Sequence, residues 1–164
     1  MDMMREYVRR YDYHPDMETL RDLLSKVTDE QKLNILQQTK SDLGRTALHE
    51  AVYRTDAAML TTVLPSLQSS ERLKLFMMKD GNDCTILHAA VSIGHTYSVK
   101  AILNSLTTDQ QMQLLTVEED WRSRTAVEMA SGETLDALLK YSISVLRKAN
   151  KGKLFLALKL RLGL

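Results

Sequence analysis

Thr85-Ile86-Leu87-His88-Ala89-Ala90-Val91-Ser92-Ile93-Gly94-His95 is the stretch whose reading decides the fold. It opens like a short helix built of small residues, and a related phrase lies on either side of it. Upstream is Thr46-Ala47-Leu48-His49-Glu50-Ala51, and downstream is the weaker Thr125-Ala126-Val127-Glu128-Met129-Ala130. The three threonines stand 39 and 40 residues apart. A fixed period in this range signals repeated supersecondary units, each burying its apolar face on its neighbours.

Composition sets the bounds. A chain of 164 residues, 44% hydrophobic and 26% charged, has the make-up of a folded domain or short array that can bury a core. Only 6 glycines and 2 prolines leave little material for hairpins or linkers, which favours helices with short connections. One cysteine, Cys84, excludes an internal disulfide framework, and Met1-Asp2-Met3-Met4-Arg5-Glu6 carries no secretory pattern. The expected location is therefore cytoplasmic, the nucleus remaining open, and not secreted. The most tempting apolar stretch, Leu154 to Leu162, is too short for a membrane span and is broken by Lys159 and Arg161. Net charge is +1, but residues 141–164 hold six basic side chains and no acid, against 16 basic and 21 acidic in the rest. A mildly acidic body with a basic tail argues against nucleic-acid binding across the whole surface.

Working outward, Pro15 breaks the chain after Met3 to Tyr13, and Asp16 is a plausible N-cap for the helix beginning at Met17. Leu20, Leu23, Leu24 and Val27 follow amphipathic helical spacing. Second helices are expected at Ala57 to Leu67 and Tyr97 to Leu106, with Pro65 stopping or bending the first of these. The connections contain a second repeated phrase. Thr28-Asp29-Glu30-Gln31-Lys32-Leu33-Asn34-Ile35-Leu36 aligns with Gln68-Ser69-Ser70-Glu71-Arg72-Leu73-Lys74-Leu75-Phe76 and with Thr107-Thr108-Asp109-Gln110-Gln111-Met112-Gln113-Leu114-Leu115. Thr28 with Gln31, and Thr107 with Gln110, read as capping boxes, so each unit should hold a short third helix. In the polar turns before each threonine, Gly44 and Gly81 are suited to positive φ. In the fourth unit either the first helix is clipped or the second runs on through Val145-Leu146.

The phrases Thr46-Ala47-Leu48-His49-Glu50-Ala51 and Thr85-Ile86-Leu87-His88-Ala89-Ala90 resemble the ankyrin repeat and its Thr-Pro-Leu-His-x-Ala motif. The resemblance covers roughly residues 5–140, is specific in the second and third units, and is loose in the first and fourth. It implies an all-α, ankyrin-like helical solenoid of about four repeats of 39–40 residues with a C-terminal cap. The array would occupy 1–149, in units of about 1–40, 41–79, 80–119 and 120–149, followed by a basic segment at 150–164. The intervals Leu24 to Thr46, Leu64 to Thr85 and Leu103 to Thr125 are 22, 21 and 22, where a 33-residue repeat has about 15; the third helix fills the difference. Thr46, Leu48, His49, Ala51, Thr85, Leu87, His88, Ala90, Gly94 and Thr125 become structural motif positions. The histidines would bond within their turns and to neighbouring backbone.

No constellation for catalysis competes with this reading. The chain lacks Gly-x-Ser-x-Gly, a phosphate loop and His-Glu-x-x-His, and Gly152-Lys153 is followed by Leu154. Cys84, His88 and His95 lack the further ligands that tetrahedral metal binding needs. Met59, Met77, Met112 and Met129 are expected in the core between units.

The function implied by the resemblance is a non-enzymatic scaffold or adaptor, with another protein as partner and no cofactor, metal or small-molecule substrate. The partner would lie along the concave face of turn tips and first helices. These positions are Asp42, Leu43, Arg45, Glu50, Tyr53 and Arg54 in unit two, and Asn82, Asp83, Cys84, Ala89, Ser92 and Ile93 in unit three. Trp121, Arg122, Arg124 and Met129 continue the face in unit four. Trp121, the single tryptophan, is read either as a binding hot spot beside Arg122 or as folded onto Met112, Leu115 or Val117. Residues 150–164 are read as a cap on the last unit in preference to an amphipathic anchor. The rival function is an adaptor tethered by that tail to an acidic membrane surface or nucleic acid. The chain is expected to be a monomer.

Overall fold

The computed structural model describes residues 17–39, 43–119 and 122–148. Among these the fold is all-α: ten helices and one 3₁₀ turn, with no strand beyond the isolated bridges Lys79–Thr85 and Glu118–Thr125. In chain order the helices are α1 (Met17–Ser25), α2 (Asp29–Leu36), α3 (Ala47–Tyr53), α4 (Ala57–Val63), α5 (Ser69–Phe76), α6 (Ile86–Ser92), α7 (Thr96–Asn104), α8 (Thr108–Leu115), α9 (Ala126–Met129) and α10 (Gly132–Lys148). Expectations for Met3 to Tyr13, Asp16, Asp42, Trp121 and 150–164 fall outside the described residues.

Helices of seven to nine residues are marginal alone, so side-chain caps and packing must hold them. The caps are regular. Thr28 with Gln31 and Thr107 with Gln110 close capping boxes on α2 and α8, and Gln68 with Glu71 closes one on α5. Thr46, Thr85 and Thr125 do the same for α3, α6 and α9, with His49, His88 and Glu128 as the reciprocal partners.

Packing follows the sequence period. α3, α6 and α9 touch in one row, α1, α4, α7 and α10 in a second, and α2, α5 and α8 in a third. Residues 39 apart bury together: Leu48 with Leu87, Ala51 with Ala90, Leu60 with Val99, Val63 with Ile102, and Leu64 with Leu103. Leu75 and Leu114 repeat the pattern in the third row. Full burial of each such leucine is worth about 1.5–3 kcal/mol. Ala51 and Ala90 are small because adjacent first helices meet there, and a larger side chain would hold the backbones apart.

Several local expectations are corrected. α4 ends at Val63, not Leu67, and Leu64–Ser66 forms a 3₁₀ turn, because Pro65 supplies no N–H to an α ladder. α7 begins one residue before Tyr97 and ends at Asn104. In the fourth unit both alternatives hold: α9 has four residues, stopped by extended Ala130, and α10 runs to Lys148. Met59 is fully buried, and Met129 packs half-buried against the core. Met77 instead lies exposed at the end of α5.

The turns place positive φ two residues before each threonine, at Gly44 (62°), Asp83 (59°) and Ser123 (49°). Gly81 therefore does not fill that role. Its N–H donates to the carbonyl of Leu43 at 2.6 Å, and a Cβ there would stand 2.8 Å from that same oxygen. Glycine at 81 is a requirement of close approach between two turns.

Candidate partner-binding surface

The surface is held up by hydrogen bonds beneath it, and these begin at the paired threonines and histidines. The hydroxyl of Thr85 stands 2.8 Å from Nδ1 of His88, and the Thr85 N–H lies 3.4 Å from the same nitrogen. A backbone N–H can only donate, so Nδ1 is an acceptor and the ring proton sits on Nε2. That Nε2–H meets the carbonyl of Arg124 at 3.2 Å, in the turn of the next unit. His49 repeats the arrangement, with Thr46 at 2.8 Å and the Cys84 carbonyl at 3.2 Å. Both imidazoles are fully buried, and burial lowers the pKa of each from its ordinary 6.5. Glu128 fills the same position in unit four, where its Oε2 accepts from the Thr125 N–H at 2.8 Å and hydroxyl at 2.9 Å. A carboxylate keeps the cap but has no proton to pass to a following carbonyl.

A second interlock ties a third helix to the end of the next unit's second helix, at positions that sequence reading did not single out. Lys32 Nζ reaches the carbonyl of Ser66 at 3.3 Å, and the equivalent Arg72 reaches the carbonyl of Ser105 at 2.6 Å. Arg72 also donates twice to the carbonyl of Leu67, at 3.0 and 2.8 Å. Gln111, next in the series, turns back onto the carbonyls of Leu103 and Leu106 at 2.8 and 3.3 Å. The fifth position of each repeated phrase is a long donor in all three copies, and that was the available signal.

Two buried carboxylates organise the turns. Asp80 accepts from the backbone N–H groups of Asn82 and Cys84 at 2.9 and 3.1 Å, and from the Tyr53 hydroxyl at 3.4 Å. Arg45 lies 3.9 Å from Asp80, 3.5 Å from Glu50 and 3.8 Å above the Tyr53 ring. Burial, helped by Asp80, pushes the Tyr53 phenol up to about 12. Burial, with Asp80 and Glu119 nearby, pushes the Cys84 thiol up to about 11, which keeps it protonated and unreactive at neutral pH. Glu119 receives Arg124 at 2.8 Å.

The candidate surface residues therefore divide. Leu43, Arg54, Asn82, Ser92, Ile93 and Arg122 are exposed. Arg45, Glu50, Tyr53, Asp83, Cys84, Arg124 and Met129 are half-buried, and several of their side chains hold the turns to the helices. Ala89 is fully buried and cannot touch a partner, because the first-helix row closes over it. Asp42 and Trp121 lie outside the described residues.

Among the described residues no group of three histidines, cysteines or acids could hold a metal ion, and no helix is long and apolar enough to cross a membrane. Comparison of the chain with protein-family models, with curated proteins and with solved structures gave no match. The functional reading stands on the chain's own sequence and geometry.

Proposed function

We propose that this chain is an ankyrin-like repeat array with a third helix in each connection, and that it serves as a non-enzymatic scaffold for another protein. The observation that carries the reading is the division of labour between repeated and varying positions. The repeated threonines and histidines are buried and committed to bonds within and between units. The residues that differ from unit to unit at one register reach solvent: Arg54 against Ile93 at the ends of α3 and α6. Tyr53 against Ser92, one position earlier, also differs between units, with Tyr53 half-buried and Ser92 exposed.

Large apolar side chains are left exposed among the candidate residues, Leu43 at 46% and Ile93 at 38%, and Arg54 and Arg122 are exposed as well. Exposed apolar side chains together with arginine are a composition that protein interfaces use. Among the described residues the buried histidines are held as struts and the cysteine as a neutral thiol. The partner would be read by turn tips and helix ends, with the third-helix row on a different part of the surface.

Affinity capture with the full chain tests this. Proteins retained by the wild type should be lost with a Leu43→Ala, Ile93→Ala, Trp121→Ala variant of unchanged helicity. An identical set of retained proteins overturns the choice of surface. Retention of acidic vesicles or DNA by the wild type, abolished by removing 150–164, would favour the tethered adaptor.

A further inference from the structure

Asp80-Gly81 is the chain's one Asp-Gly pair, and it holds no Asn-Gly. In such a pair no Cβ shields the glycine nitrogen, which can attack the side-chain carbonyl carbon of the aspartate before it. The fold needs both residues, for different reasons. The buried Asp80 carboxylate shapes the turn by accepting from the N–H groups of Asn82 and Cys84 at 2.9 and 3.1 Å. Gly81 is required because a Cβ there would stand 2.8 Å from the Leu43 carbonyl oxygen. A chemically labile pair is thus fixed where units two and three meet. The closed turn holds both reacting groups. The Gly81 N–H is turned onto the carbonyl of Leu43 at 2.6 Å. The carboxylate also takes the Tyr53 hydroxyl at 3.4 Å, with Arg45 at 3.9 Å. His49 fastens the turn from unit two, its Nε2 meeting the Cys84 carbonyl at 3.2 Å, and that carbonyl accepts from the Asp80 N–H at 2.9 Å.

We infer that Asp80-Gly81 is a modification site where isoaspartate forms spontaneously when this turn opens, and that the contacts between units two and three set its rate. The Gly81 nitrogen bonds to Cγ of Asp80 in its carboxylic acid form. The proton of that nitrogen and the hydroxyl of the acid leave together as water, and a five-membered succinimide results. Water then adds to one imide carbonyl and breaks its bond to nitrogen. Cleavage at the former main-chain carbonyl of Asp80 leaves the backbone running through the side chain, one carbon longer, with a free α-carboxylate. One water leaves and one enters, so the net change is an isomerisation without oxidant or enzyme. The product cannot rebuild the turn. Its Cγ carbonyl is now part of the main chain, so the carboxylate that held Asn82 and Cys84 is gone and the seat of the His49 strut is displaced. The site does not depend on the partner reading, although Asn82, a candidate surface residue, lies within the turn.

Incubation of the full chain at neutral pH, folded or in urea, tests it, with isoaspartate located by peptide mass spectrometry. Isoaspartate at position 80 should accrue at least ~10-fold more slowly in the folded chain, where only the opened fraction reacts. Asp80→Glu should remove the signal in urea, since the larger ring closes far more slowly. His49→Ala, checked for unchanged helicity, should speed the folded reaction at least ~5-fold by loosening this turn locally. Arg72→Ala, which weakens the third-helix row without touching the turn, should leave the folded rate unchanged. Tyr53→Phe removes one hydroxyl from Asp80 and serves if His49→Ala does not fold, with at least ~2-fold acceleration expected. Equal rates in the folded chain and in urea would overturn the inference. So would isoaspartate at Asn82 or Asn104 in place of Asp80, or an effect of Arg72→Ala as large as that of the turn variant.

Discussion

Nε2 of His88 donates to the carbonyl of Arg124 across 3.2 Å, joining residues 36 apart in the chain. One imidazole thus accepts inside its own unit and donates to the next, which neither a hydroxyl nor a carboxylate at that position could do at this reach. Coupling between units thus includes a hydrogen bond set by an imidazole tautomer in addition to apolar contact.

Removing that imidazole should be costly. His88→Ala strips the imidazole half of the capping box at Thr85, takes from the Arg124 carbonyl one of its two donors, the Glu119 N–H remaining, and opens a cavity. The expected loss is on the order of 3 kcal/mol, read as a lower urea midpoint. Thr85→Val should overlap with it, so the double variant should lose less than the sum of the two singles.

The same histidines make the fold acid-sensitive. Their pKa values are lowered in the folded chain, by burial first, so below 6.5 the unfolded chain binds protons that the folded chain refuses. Stability is then greatest above 6.5 and declines as pH falls toward the folded-state values. Each histidine contributes at most about 1.4 kcal/mol per pH unit. Urea titrations at pH 7.5, 6.5 and 5.5 should reveal this slope, and His49→Ala should remove one histidine's share.

Backbone strain gives a matched pair of tests at equivalent positions. Thr55 holds φ at 56°, where a β-branched residue is strained, and Gly94 holds 71° with open space around it. Thr55→Gly should raise stability by about 0.5–1 kcal/mol, and Gly94→Ala should lower it by about 1 kcal/mol, both by thermal unfolding.

Arg72 should matter more than its half-buried position implies. Arg72→Ala removes the bonds to Leu67 and Ser105, at a cost of about 2 kcal/mol. Arg72→Lys should restore only part of that, because an ammonium cannot fork between two carbonyls as a guanidinium does. Chemical denaturation of the two variants side by side decides it.

The third helices were legible because Thr28 with Gln31 and Thr107 with Gln110 form a purely local pattern, three residues apart. The role of Gly81 was not. Its two neighbours in sequence say nothing of a carbonyl 38 residues earlier, and only the apposed turns show why a Cβ is excluded. Ala89 failed for the same reason, since its register places it on a surface that neighbouring first helices bury. Met77 erred the opposite way: an apolar side chain at a helix end is free to point outward.

By itself the sequence determined the helical class, the 39–40-residue period, the capping pairs and the third helix, because all of these rest on short-range spacing and on residue chemistry repeated along the chain. Tertiary structure alone decided which repeated groups are struts between units, which turn residues must be small, and which candidate surface residues reach solvent. Those depend on what a neighbouring unit places opposite each side chain, and burial is a property of the packed rows, which no single repeat contains.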